Sequence, residues 1–124
     1  MNNSPINIQV ETQFMDAQSN PEQDQYVFAY TITIANNAQQ SIQLLTREWS
    51  INDADGKVTQ VAGDGVVGKQ PHIGPGEHFT YTSGTVLTTP LGSMQGSYGM
   101  LWENGDDIEV PIPAFRLAVP NILH

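Results

Sequence analysis

The chain has no cysteine. Disulfides, thiolate metal sites and cysteine nucleophiles are therefore excluded. It is nearly as poor in positive charge. Four Lys and Arg stand against thirteen Asp and Glu, a formal net charge of -9. A nucleic-acid binder draws most of its affinity from neutralising phosphates, and four bases cannot build such a face. The same field opposes anionic membranes and slows the approach of any nucleotide. No apolar run approaches the ~20 residues that span a bilayer. Met1 to Pro5 carries neither the basic nor the apolar region of a secretory signal. No segment keeps helical periodicity over three turns. These absences predict one soluble, cytoplasmic, all-β domain over residues 1–124, with no nucleic-acid or membrane partner.

What is present is period two. Ile6, Ile8, Val10, Thr12 and Phe14 alternate with polar residues, and Met15 to Gln25 then reads as a loop. Tyr26, Phe28, Tyr30, Ile32 and Ile34 form one face of the strongest strand, which ends at Asn36-Asn37. Ile42 and Leu44 are followed by Leu45, Arg47, Trp49 and Ile51, so the apolar parity slips by one residue. A slip flips every later side chain, which predicts a β-bulge at Leu44–Leu45. Asn52 to Gly56 is a hairpin turn into a short strand, Lys57 to Ala62. Phe79 and Tyr81 open another strand that runs to Leu87. Met94, Gly96, Tyr98, Met100 and Trp102 share a face of the next. Asn104-Gly105 predicts a tight hairpin with both residues at positive φ. Pro111 and Pro113 lie two apart in the last strand and restrict it to a sheet edge or a bulge. The tail from Phe115 is too apolar to be a free end. Seven or eight short strands joined by Gly, Pro and Asn turns predict an antiparallel β-sandwich of the fibronectin type III or immunoglobulin-like kind.

Several of these stretches together resemble the ApaG family. They are Tyr26 to Ile34, Gln43 to Leu45 with Arg47 and Trp49, Gly63 to Pro71, Tyr81 to Gly84, Thr89 to Gly96, and Phe115 to Pro120. The resemblance implies a fibronectin type III-like fold. It also implies an association with cobalt resistance and magnesium efflux, and a use as an interaction module where the domain is appended to other proteins. It brings no catalytic residues.

The candidate ligand site is the glycine stretch Gly63, Asp64, Gly65, Val66, Val67, Gly68 and Lys69, which spells G-x-G-x-x-G. In a dinucleotide fold the third glycine opens a helix that holds pyrophosphate. Here Pro71 and Gly74-Pro75-Gly76 deny it a helix. Two readings stay open. Successive N–H groups could nest an anion, with Lys69 as counter-charge. Alternatively the stretch is a crossover between sheets, with Val66 and Val67 anchored in the core.

Other clusters are weaker. Asp53-Ala54-Asp55-Gly56 lacks the ligands a calcium loop needs at its first and last positions and reads as a turn with Gly56 at positive φ. Glu103, Asp106, Asp107 and Glu109 crowd one hairpin and read as a solvated surface. His72, His78 and His124 show no ligand spacing. Thr82-Ser83 reads as hydroxyls on a solvent-facing strand. Aromatic and methionine positions beyond one inner face would form an outer patch for a partner. The functional expectation is a non-enzymatic module that holds a protein partner and uses no cofactor. The alternative is a small-ligand module for a phosphate or pyrophosphate-bearing metabolite at Gly63 to Lys69. A weakly held anion or divalent cation completes the range.

Overall fold

The computed structural model describes residues 5–120. The readings placed on Met1 to Ser4, and on Ile122, Leu123 and His124, lie outside the described residues. Among these residues eight strands form: β1 (Ile6–Phe14), β2 (Tyr26–Asn36), β3 (Ile42–Asp53), β4 (Val58–Asp64), β5 (His72–Ile73), β6 (His78–Leu87), β7 (Leu91–Trp102) and β8 (Asp107–Ala118). The loop before β2 holds two short 3-10 turns, Asp16–Gln18 and Pro21–Gln23.

All pairings are antiparallel. One sheet has the order β1-β2-β6, and the other β4-β3-β7-β8, with β5 also on β3. A three-stranded sheet facing a larger one is the fibronectin type III form of the immunoglobulin-like sandwich. Alternation explains the core directly. Phe28, Tyr30, Ile32 and Ile34 of β2 meet Leu44, Trp49, Met94, Tyr98 and Met100 of the facing sheet, all buried. Tyr30, Trp49 and Phe115 form a ring cluster with centroids 5.5 to 5.9 Å apart. The Tyr81 and Tyr98 hydroxyls hydrogen-bond to each other inside this core. Burial holds the Tyr81 hydroxyl proton more tightly and pushes its pKa up to about 12, and burial and then Tyr81 push Tyr98 up as well.

The register shift in β3 falls between Leu44 and Thr46, where the parity slip puts it. β8 is both edge and bulge: it pairs only β7, and its register slips opposite Pro113 and Ala114. Phe115 and Leu117 pack into the core, so this part of the tail is a strand. One hairpin differs from expectation. At Asn104-Gly105 only Gly105 has positive φ, at +97°. Its N–H donates to the Trp102 carbonyl, and the Trp102 N–H donates to the Asp106 carbonyl. This is a three-residue loop, a type I turn closed by a left-handed glycine. Asp53 to Lys57 is built the same way, with Gly56 at φ +87°.

The two sides of the sandwich are unlike. On one side β1 packs against β8. On the other, β4 and β6 are free edges among the described residues, and three cavities lie along the seam between them.

Candidate functional site

The glycine stretch is not a crossover. β4 and β5 both pair with β3, so Gly65 to Pro71 is a short excursion from one edge of a single sheet. Gly63 and Asp64 are the last residues of β4. Val66 and Lys69 exchange backbone hydrogen bonds of 2.8 and 2.9 Å across Val67-Gly68. Val67 has φ +44° and Gly68 φ +79°. Two central residues at positive φ make a type I′ hairpin turn. The chain passes to the other sheet later, through Gly74 to Glu77 between β5 and β6. Val66 is fully buried as expected, but Val67 is 53% exposed, because a two-residue turn points its first central side chain outward.

The bulge on β3 holds this turn. With Leu45 unpaired in the β3–β7 ladder, its carbonyl accepts from the Gly65 N–H at 2.8 Å and from the Gln70 Nε2 at 2.9 Å. Arg47 holds the other flank. Its Nη1 donates to the Asp64 carbonyl at 3.0 Å and the Gly65 carbonyl at 2.8 Å. Arg47 is the cross-strand partner of Gly63, and a Cβ there would stand 3.0 Å from Nη1. A Cβ at Gly65, with φ +67°, would fall 2.4 Å from the Lys69 carbonyl oxygen. Both glycines therefore admit close approach. The N–H groups of Gly65, Val66 and Lys69 are engaged within the fold.

Beneath the hairpin the seam opens into a cleft. One cavity of about 300 Å³ is lined by Tyr30, Arg47, Asp64, Val67, Tyr81 and Ser83 among others. A second, of about 210 Å³, shares Tyr30, Arg47, Trp49 and Ser83 and runs on to Val61 and Thr85. A third, of about 240 Å³, continues between Lys57, Thr59, Val61 and Val86, Thr88. Among the described residues, the exposed large apolar ones are Val58, Val61, Val67 and Val86. All four sit on β4, β6 or the hairpin at their end. The expected outer aromatic patch does not form. Tyr26, Phe79 and Trp102 pack against the core with the others, and valines take the exposed positions instead.

Ser83 corrects a further reading. It shares the inner parity of β6 with Tyr81 and lines the cleft, and it does not face solvent beside Thr82. Thr82 does point outward, bonding Thr31 at 2.8 Å. In the acidic hairpin, Glu103 accepts from the Ser41 N–H and Glu109 from the Ser97 hydroxyl. His72 and His78 are exposed and lie on different sheets. Among the described residues, no three His, Asp or Glu side chains converge as a metal site.

The ApaG domain family matches residues 16–102. The chain belongs to the ApaG family. Protein ApaG of Salmonella arizonae is 54% identical over 125 residues, covering all of both chains, and that of Salmonella enteritidis is equally similar. The crystal structure of the ApaA protein of Bordetella pertussis superposes with a TM-score of 0.91 at 46% identity, over 94% of this chain and 95% of that one. The C-terminal domain of wzt shares 10% identity at a TM-score of 0.54, over 97% of this chain and 76% of that one, which speaks for the fold alone.

The sequence reading of this ApaG chain missed Arg47, Tyr30 and Ser83 as neighbours. One signal was available. Arg47 keeps the inner parity of Trp49 and Ile51, and a cation on a core-facing position needs an explanation.

Proposed function

We propose that the chain is a non-enzymatic, cytoplasmic interaction module that takes an extended segment of a protein partner along β4 and β6. The observation that carries this is the placing of Val58, Val61, Val67 and Val86, the exposed large apolar residues among those described, on the two free edges and the hairpin that follows β4. Natural sheets protect such edges with charge, proline or a covering element. β8 carries prolines and packs against β1. By contrast Val58 to Gly63 and Phe79 to Leu87 hold no charge and no proline. Strand addition needs these features: free backbone groups and side-chain sites at alternate positions. Val67 adds to the case. A β-branched residue at φ +44° is strained, and its exposure gives it no packing return. The association with cobalt resistance and magnesium efflux then belongs to what the partner does.

The test is affinity capture with three baits: the wild-type chain, Val61→Asp and Val86→Asp. A partner retained by the first and lost by both variants, at unchanged melting temperature, is the expected result. Equal capture by all three removes the edges from the interaction.

A further inference from the structure

The cleft floor carries a feature that an apolar strand groove does not need. Arg47 is half-buried and has no carboxylate partner among the described residues. Its Nη1 is fixed on the Asp64 and Gly65 carbonyls. Those bonds use both Nη1 hydrogens and leave Nε–H and the Nη2 hydrogens, the side-on fork that matches a carboxylate. No described residue accepts from this fork, and no buried side-chain nitrogen or oxygen lacks a partner, so the fork reaches the open cleft. Two more donors line the same cavities. The Tyr30 hydroxyl and the Ser83 hydroxyl have no described partner either, and neither is sealed from solvent. Tyr30, Arg47, Tyr81 and Ser83 line one cavity, which brings these groups together.

Charge points the same way. The chain has four cationic side chains: Arg47 and Lys57 line these cavities together with Asp53 and Asp64, Lys69 is on the adjoining hairpin, and Arg116 is on β8. Two of the four positive charges of a chain of net charge -9 thus line the cavities. Asp64 on the rim opposes a dianion more than a monoanion, and Trp49, Val66 and Val67 supply an apolar wall. We propose that Arg47, Tyr30 and Ser83 form a carboxylate-binding subsite at the floor of the β4–β6 groove. The carboxylate belongs to an acidic side chain on the docked segment or to a free acid with a small apolar body. The first source rests on the interaction reading above, and the second does not.

The experiment is an NMR titration that follows the Arg47 Nε–H and the backbone amides. The probes are isobutyrate, neutral isobutyramide, and a capped valine-threonine-aspartate-threonine-valine peptide with its asparagine counterpart. Isobutyrate is expected to shift the Arg47 Nε–H and the Ser83 amide saturably, and isobutyramide is not. Arg47→Lys keeps the charge but loses the fork, and should weaken isobutyrate by about tenfold or more. Ser83→Asp leaves the Arg47 latch in place, sets a carboxylate in the cavity and should exclude the probe. Identical behaviour of acid and amide, or isobutyrate binding unchanged in both variants, overturns the proposal. Tighter binding of the aspartate peptide than of the asparagine peptide assigns the carboxylate to a docked segment. Isobutyrate binding without either peptide assigns it to a free acid and counts against the interaction reading. Equal binding of both peptides with the Arg47 resonance unmoved keeps the interaction reading and removes the subsite.

Discussion

At the scale of single residues, the glycine stretch divides by what a side chain would meet. Gly65 sits at φ +67° with a carbonyl oxygen 2.4 Å from its would-be Cβ. Gly65→Ala should cost about 2–4 kcal/mol, read as a lower urea midpoint. Gly68 also has positive φ, but its would-be Cβ meets nothing within 4 Å. Gly68→Ala should cost only about 1 kcal/mol, because conformation is the whole of the penalty. Val67→Asn reverses the sign. Asn-Gly is the preferred pair for a type I′ turn, so the variant should gain about 1 kcal/mol, measured as a higher melting temperature. If Val67→Asn also weakens partner capture, the strained valine is kept for the surface it offers.

At the scale of elements, Asn36 is the joint between sheets. Its side chain is fully buried, with Nδ2 donating to the Gln40 and Ile73 carbonyls at 2.9 Å and Oδ1 accepting from the Ala38 N–H. It ties the end of β2 to β5 on the opposite sheet. Asn36→Leu leaves these backbone groups without partners and should cost about 2–4 kcal/mol in denaturant unfolding. The sequence marks Asn36 only as a turn residue, since side-chain bonds across 37 positions leave no local mark. Much else was legible. Strand parity marked the inner faces of β2, β3 and β7, the slip at Leu44–Leu45 marked the bulge, and the two prolines marked the edge. These are period-two signals, carried by the strand itself. The candidate site was legible only as a motif. Whether Gly63 to Lys69 crosses between sheets depends on β5, a strand of two residues, too short to show alternation. Arg47 and Ser83 line the same cavities only because β3 and β6 face each other across the sandwich, and no local pattern encodes that approach.

For the whole molecule, the buried tyrosines set the alkaline limit. Tyr81 ionises near pH 10 in the unfolded chain and near 12 in the fold. The folded state therefore keeps a proton that the unfolded state has lost. Below pH 10 both states are protonated and this stabilisation is fully present. Between pH 10 and 12 stability should fall, by about 2 kcal/mol from Tyr81, with Tyr98 adding in the same direction. Urea midpoints measured from pH 8 to pH 12 should stay flat and then decline. Tyr81→Phe with Tyr98→Phe should flatten the decline, and an unchanged slope would place the alkaline loss elsewhere.

The one-sided openness of the sandwich also limits how copies of the chain can add to one another. The β1–β8 side is closed by packing and by Pro111 and Pro113, so among the described residues only β4 and β6 offer a template. Two copies that join through those edges each use their single open side. What they then present outward is the closed side of both. Such growth ends in a symmetric pair and cannot run on into a filament, because a filament needs a receptive face at each end of every subunit. The asymmetry that leaves one groove open is also the asymmetry that stops the sheet from propagating.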